Sequence, residues 1–318
     1  MKMKIMTHFC NCAVLALLSL AACTEIPGDK SKPEWKESAS GVWEISVGKP
    51  EKLNLLSELG LHPKWDAINA MPKADLPVDR DEIRFEEVDG KTYIRFPLDK
   101  GEKIFGLGLN FKTVEQRGRI LELHVDHYGG KDNGRTHAPV PFFVSSKGYG
   151  AFINSARYIK AYVGTGVRKD TKNPPEVQDR NTDPGWSAQP YSDNLEFLVP
   201  AEGVEVVLFA GQDMQDVVRR FNLFNGGGVL PPKWGLGFWH RVPTLFTDRQ
   251  VQDEIAEFRK RGFPLTVIGL EPGWMSRAYP CTYEWDATRF PEPGKFVNDL
   301  LQKHIRTNLW FNPGVSPE

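Results

Sequence analysis

The sequence has almost no net charge and very little cysteine. Its 40 Lys and Arg residues nearly balance 41 Asp and Glu residues, which leaves a net charge of -1 at pH 7. The chain therefore lacks the basic field that attracts nucleic acid. Only four of 318 residues are cysteines, and Cys281 alone lies in the body of the chain, which excludes an internal disulfide framework. The Cys10–Cys12 pair lacks the second ligand pair of a zinc site, so we expect no metal and no other cofactor.

The N-terminus also lacks an apolar run long enough to span a membrane. The segment Cys10–Leu20 follows two lysines and is too short for a stable transmembrane helix. The run Leu20-Ala21-Ala22-Cys23 has the form of a bacterial lipobox. It predicts a signal peptide over residues 1–22, lipidation of Cys23, a polar tether over 23–40, and membrane attachment in the bacterial cell envelope, facing the periplasm or on the outer membrane. The alternative is a plain secretory signal followed by a chance cysteine.

Residues 41–225 contain few helical stretches and many short segments with apolar–polar alternation. We expect strands within 41–47, 92–96, 141–144, 149–153, 195–199 and 204–209. Turn signals separate these segments, which predicts a β-sandwich. The turn Ser145–Gly148 predicts one hairpin, and the two segments between Leu195 and Phe209 are predicted to form another. A short helix is expected at Asn54–Leu61.

The hydrophobic period changes near Gly211. Asp213–Phe224 carries a helical apolar face that comprises Met214, Val217, Val218, Phe221 and Phe224. A glycine run and a proline pair then start a second domain, predicted over residues 226–318. This domain reads as strand 234–239, helix 248–261, strand 265–270, helix 293–303 and strand 307–311. Such alternation predicts a parallel sheet, either barrel or doubly wound. No GxGxxG motif or phosphate loop follows a strand, which argues against nucleotide binding.

Four ordered motifs in the second domain resemble glycoside hydrolase family 31, a family of retaining α-glucosidases and α-xylosidases. They are Pro231–Trp239, Glu257–Ile268, Asp286–Pro291 and Leu309–Pro313. Three motifs of the first domain resemble the mutarotase-like sandwich of the same family. They are Phe105–Gly108, Gln116–Arg119 and Pro141–Phe143. The resemblance covers roughly residues 41–318.

The resemblance implies a multidomain α and β protein with a mutarotase-like β-sandwich followed by the first β/α units of an incomplete TIM (β/α)8 barrel. It implies a retaining glycoside hydrolase whose partner is an α-linked glycoside or oligosaccharide, with both catalytic aspartates on later barrel strands. Only 86 residues follow Pro232, whereas a complete barrel takes roughly 250. We therefore expect an N-terminal fragment that is inactive alone, and no nucleophile or acid/base residue is assigned.

Substrate contacts are expected at the C-terminal ends of the barrel strands. The candidates are Trp239, His240, Glu271, Trp274, Trp310 and Asn312. A carboxylate accepts sugar hydroxyls, and an indole face stacks on sugar C–H groups. The resemblance implies a sugar-binding Asp where Glu271 stands, and the longer side chain departs from that pattern. The alternatives are an ion pair of Glu271 with Arg277 or Arg241, and core packing for Trp239 and Trp310.

Two further positions come from the same resemblance. His124–His127 is similar to a family segment that reaches over the active site, so Asp126 is a candidate sugar contact; the alternative is a solvated hairpin tip. No ligand spacing supports a metal site that would join these residues to His137. His304 stands where the family often has glycine after the second helix, and histidine tolerates left-handed backbone better than most residues.

A second class of function stays open at this point. A carbohydrate-binding sandwich on a membrane tether, without enzymatic activity, would carry the same aromatic composition and the same export signal.

Overall fold

The computed structural model describes residues 33–60, 62–126, 134–165, 179–184, 186 and 191–312. The predicted signal peptide, lipidation site and most of the tether lie outside these residues. The chain divides into two compact units, with the boundary between Gly227 and Gly228. No helix among the described residues is long and apolar enough to cross a membrane.

The first unit is a sandwich of two six-stranded sheets, as predicted. The first sheet has the order β1-β2-β12-β9-β8-β5, with strands Lys36–Ala39 (β1), Val42–Gly48 (β2), Gly203–Ala210 (β12), Tyr149–Asn154 (β9), Phe142–Ser145 (β8) and Ile104–Gly106 (β5). The second sheet has the order β3-β4-β11-β10-β6-β7, with strands Arg84–Val88 (β3), Lys91–Pro97 (β4), Tyr191–Val199 (β11), Lys160–Thr165 (β10), Arg119–Val125 (β6) and Arg135–Thr136 (β7). All pairings are antiparallel except β6 with β7.

Alternation along the strands builds the core between the sheets. Phe96, Phe143 and Phe197 come from three different strands and meet with ring centroids 5.1 to 6.0 Å apart. All three rings are fully buried. At the edge, Asp89 and Gly90 adopt φ values of 51° and 69°, as a two-residue type I′ hairpin turn requires, and join β3 to β4.

Two expectations for the sandwich are wrong. Strands β11 and β12 do not form a hairpin, because they lie in opposite sheets. Phe197 and Val206 both belong to the core between the sheets, so these strands contribute to it from opposite sides. The end of the predicted tether is also structured, because Lys36–Ala39 pairs antiparallel with β2 and supplies an edge strand.

Three short helices accompany the sandwich: Leu55–Leu59 (α1), Trp65–Asn69 (α2) and Met214–Phe224 (α3). Asp213 caps α3 by accepting a hydrogen bond from the Asp216 amide at 2.9 Å. The predicted apolar face of α3 is only partly buried. Val217 and Phe224 are buried, whereas Met214 and Val218 are 38% and 47% exposed.

The second unit contains the predicted strand–helix alternation. Its elements are Phe238–Arg241 (β13), Asp248–Lys260 (α4), Leu265–Leu270 (β14), Pro293–Gln302 (α5) and Arg306–Leu309 (β15). The three strands form one parallel sheet in sequence order. Thr247 and Gln250 form the predicted capping box at the start of α4, and Gly262 follows the helix with φ of 73°.

The first strand of the second unit begins later than the sequence pattern predicts. Residues Lys233–Leu236 form a 3-10 turn, in which the Gly235 amide bonds to the Pro232 carbonyl at 2.8 Å. The strand β13 therefore covers only four residues. Its side chains are not buried as expected, because Phe238 and Trp239 remain 38% and 49% exposed.

His304 follows α5 in the left-handed region, with φ of 57°, as its position in place of a family glycine predicts. We expect His304→Gly to stabilise the second unit by about 0.5–1 kcal/mol, because the imidazole is exposed and glycine adopts left-handed backbone without the strain that an L side chain carries there. Slower amide hydrogen exchange in α5 and β15 would report the gain. Lys303→Gly is the matched control, because Lys303 has φ of −86° and glycine there should lower stability. Equal effects of the two variants would contradict the strain argument.

Candidate functional site

The three strands of the second unit deliver their C-terminal residues to one edge of the sheet. Leu270 of β14 pairs with Leu309 of β15, and Gly269 pairs with Arg241 of β13. The ladder continues past the strands, because the Trp310 amide bonds to the Leu270 carbonyl at 3.0 Å. The residues that follow the strands therefore lie side by side, as a strand-end site requires.

Glu271 follows β14 and is the predicted contact that this edge positions best. Its side chain is 17% exposed, and Oε1 lies 3.2 Å from Nε of Arg241. The approach is that of an ion pair without an aligned hydrogen bond, and Oε1 is a buried oxygen with no hydrogen-bond donor. Of the two alternative partners predicted for Glu271, Arg241 is the one it contacts. Since 75% of the Arg241 side chain is exposed, water screens this pair strongly.

The turn after Glu271 is tightly constrained. A Cβ atom at Gly273 would lie 1.8 Å from the Thr244 carbonyl oxygen, so only glycine fits. The Arg289 guanidinium donates to the carbonyls of Gly273 and Met275 at 2.8 and 3.2 Å and pairs with Asp286 at 2.9 Å. This arrangement gives Asp286 a structural role in fixing the turn.

His240 does not reach the predicted sugar face. Its Nε2 lies 2.7 Å from Oε1 of Glu254 on α4, and its ring packs 4.5 Å from Phe258 of the same helix. Side chains alternate along a strand, so His240 faces the helix layer and its neighbour Trp239 faces the other side of the sheet. The structure thus argues against His240 as a substrate contact.

Trp274 is a core residue, contrary to its prediction as a sugar contact. It is 5% exposed and packs against Trp285 with ring centroids 5.0 Å apart. Its indole nitrogen donates to the Trp310 carbonyl oxygen at 2.7 Å. The ring therefore links the turn after β14 to the end of β15, because a buried indole N–H needs an acceptor.

Trp239 and Trp310 keep accessible ring surface. Trp239 is 49% exposed, and its indole nitrogen donates to the Gly235 carbonyl at 3.1 Å. Trp310 is partly buried against the core of the second unit, and its ring lies edge-on to Tyr279 at 5.9 Å. Both the stacking and the packing interpretations therefore apply to Trp310, whereas core packing does not describe Trp239.

Asn312 is held by a loop that the sequence pattern did not single out. Its backbone carbonyl accepts a hydrogen bond from the Tyr283 hydroxyl at 3.2 Å, and its backbone N–H donates to Sγ of Cys281 at 3.4 Å. Tyr279 and Tyr283 of this loop are 64% and 57% exposed. The available signal was the aromatic density directly after β14, since exposed rings near a strand end suit sugar stacking.

Asp126 belongs to the sandwich unit. Its carboxylate lies 3.7 Å from the Arg135 guanidinium, and its side chain is 15% exposed. Its backbone amide bonds to the Thr136 carbonyl at 2.9 Å, so this end of the segment is a paired strand end. His127 lies outside the described residues, and the contact of Asp126 with sugar stays a prediction.

Comparisons with known proteins match both units to one family. The model of the glycoside hydrolase family 31 N-terminal galactose mutarotase-like domain matches residues 29–160, and the model of the family 31 TIM-barrel domain matches residues 228–318. Relatives include an α-xylosidase of Emericella nidulans, 25% identical over 233 residues, and the α-xylosidase XylQ of Lactiplantibacillus pentosus, 25% identical over 231 residues. These alignments cover 73% and 71% of this chain and 27% of each relative.

A solved structure agrees with the fold. The family 31 dextranase of Flavobacterium johnsoniae, complexed with glucose, superimposes with a TM-score of 0.64 at 20% identity, over 89% of this chain and 36% of that one. The chain thus spans about a quarter to a third of the length of the proteins that it matches. With a mutarotase-like sandwich followed by part of the TIM-barrel domain, each matched by its own family model, the chain belongs to glycoside hydrolase family 31.

Proposed function

We propose that this chain supplies the sandwich and the first strand–helix units of the barrel in an exported, lipid-anchored glycosidase that cleaves α-linked oligosaccharides with retention. Family membership supports glycosidase chemistry, and relatives named α-xylosidase and α-glucosidase support an α-linked substrate. The observation that carries the proposal is the partly desolvated carboxylate of Glu271 at the C-terminal edge of the barrel sheet.

The position of Glu271 suits a sugar hydroxyl. A buried acceptor without an aligned donor costs about 1–3 kcal/mol, and a hydroxyl group would supply the missing donor to Oε1. Arg241 adjoins the same oxygen, and a carboxylate oxygen has more than one acceptor site, so both groups can contact it. A carboxylate accepts hydrogen bonds from two adjacent hydroxyls, which fixes the orientation of a sugar ring.

An aromatic side chain in the loop after β14 suits the rest of the ring. Tyr279 offers an exposed face that can pack against sugar C–H groups, whereas Trp239 pairs with Val267 before the strands end. Two carboxyl groups about 5–5.5 Å apart are needed for retention, and the family resemblance puts them on barrel strands after β15. In this proposal the present segment binds and orients the substrate, and the later strands supply the nucleophile and the acid/base residue.

Glu271→Gln should lower kcat/KM of the complete glycosidase by about one to two decades, because a hydrogen bond to a charged partner is worth roughly 1.5–3 kcal/mol. Thermal stability should hardly change, since the ion pair with Arg241 is screened by water. Glu254→Gln is the matched control: Glu254 pairs with His240 on the helix side, and its activity should equal that of the wild type. Full activity of Glu271→Gln together with a lowered melting temperature would make Glu271 a structural residue.

The 318-residue chain alone should not react with a mechanism-based inhibitor of retaining α-glycosidases, because covalent trapping needs a nucleophile at the anomeric carbon. Intact-mass spectrometry after incubation is the measurement. Stoichiometric labelling of any residue would place a nucleophile within these residues and overturn the division of labour proposed above.

Membrane attachment should depend on Cys23. In cells that express the protein, Cys23→Ala should move it from the membrane fraction to the soluble fraction, because the thioether-linked lipid can no longer form. The alternative, a plain secretory signal, predicts the same distribution for the wild type and the variant. Sedimentation of Cys23→Ala with the membranes would therefore refute lipidation at this residue.

A further inference from the structure

The sandwich contains a polar cavity that is remote in sequence from the barrel strands. It has a volume of about 320 Å³ and lies between the turn around Asp79 and the segment that follows β4. Pro77, Val78 and Pro97 supply apolar surface, while Asp79, Glu82, Asp99, Glu102 and Lys147 supply charge. This volume lies at the lower end of the range for small-molecule pockets and accommodates one sugar unit.

One wall of the cavity is held rigidly. Glu102 is 5% exposed and accepts hydrogen bonds from the Asp99 amide at 2.8 Å and from the Ser145 hydroxyl. The Arg117 guanidinium donates to the carbonyls of Asp99 and Glu102 at 3.0 and 2.6 Å and pairs with Asp193. Because these contacts fix the backbone, Asp99 is presented without the ordering cost that weakens binding by mobile loops.

One pair among the charged groups of this cavity places a donor beside an acceptor. Lys147 pairs with Asp99, and their side chains remain 35% and 48% exposed. An ammonium group carries three donors, and a carboxylate carries several acceptor sites, so both retain hydrogen-bonding capacity. Each hydroxyl of a vicinal diol donates and accepts, which makes an adjacent ammonium and carboxylate complementary to a sugar.

Tyr149 adds a buried hydroxyl to the lining. The residue is 1% exposed, and its hydroxyl has no hydrogen bond of normal geometry, although Glu102 and Ser145 lie close by. Burial, and then the negative charge of Glu102, raise the pKa of Tyr149 well above its usual value, so the group stays a protonated donor. Buried hydroxyl groups normally have a partner, and Glu102 or Ser145 can provide it as well as a bound ligand.

The lining favours a neutral polyol over a metal ion. Among the residues that the structure describes, no group of three His, Cys, Asp or Glu side chains is placed to hold a metal. The oxygens of Glu102 already accept hydrogen bonds from the protein, and the Lys147 ammonium adjoins Asp99. A cation would have to displace that ammonium, whereas a sugar hydroxyl can bind beside it.

We infer that the cavity between Asp79 and Lys147 is a carbohydrate-binding site of the sandwich, distinct from the barrel edge and able to hold one sugar unit. The site does not depend on the glycosidase activity proposed above. Its function would be to hold the protein on an oligosaccharide, where a second weak contact raises the effective concentration of substrate chains.

Hydrogen exchange of the 318-residue chain with D-glucose or D-xylose, titrated from about 1 to 50 mM, tests the site because single sugar units bind weakly. Sugar should slow exchange of amides in residues 99–103 and 146–149. Lys147→Met should raise the dissociation constant for the sugar by about fivefold or more, because a charged hydrogen bond is lost. Lys103→Met is the matched control, because Lys103 is an exposed lysine of the same segment that does not line the cavity, and it should bind as the wild type does.

Tyr149→Phe removes the hydroxyl and keeps the ring, so it tests the sugar site if Lys147→Met fails to fold. This variant should weaken sugar binding about threefold or more. Unchanged affinity of both variants, protection confined to residues 238–312, or no protection by either sugar would overturn the inference. So would the same protection by calcium chloride alone. Glu271→Gln should leave protection in the sandwich intact, which separates a failure of this site from a failure of the barrel site.

Discussion

The parallel hydrogen-bond ladder through β14 is the constraint on which the candidate barrel site depends. Its register with β13 and β15 sets Glu271 beside Arg241 and brings Trp310 next to the end of the central strand. Without that register the residues would be separated in space as they are in sequence. The tight turn at Gly273, braced by Arg289, then prevents the backbone after Glu271 from relaxing toward solvent.

Side-chain direction divides the predicted residues into two groups. His240 and Trp239 are neighbours on one strand, yet the first faces α4 and the second stays exposed, because successive side chains point to opposite faces of a sheet. Trp274 is buried in the core and cannot contact sugar for a different reason, since its indole links the turn after β14 to the end of β15. Proximity to a strand end is therefore not sufficient for a sugar contact.

The sandwich achieves rigidity with buried charge as well as with aromatic packing. Arg117 and Glu102 satisfy backbone and side-chain groups around the segment after β4, and Arg220 bonds to the carbonyls of Ser40 and Pro72 although it is fully buried. Removing one member of such a network leaves an uncompensated polar group, which costs more than the bond itself.

The sequence alone determined the change from β periodicity to strand–helix alternation, and the family through its ordered motifs. The export signal stays a prediction. It also predicted the caps at Thr247 and Gly262 and the left-handed backbone at His304, because these features depend on residues close together in the chain. Tertiary structure decided that β11 and β12 belong to opposite sheets and that His240 faces a helix. It also left Tyr279 and Tyr283 exposed to solvent and formed the cavity beside Asp99 and Lys147. Those outcomes depend on contacts between segments that are distant in the chain, and local patterns of hydrophobicity and charge carry no information about such contacts.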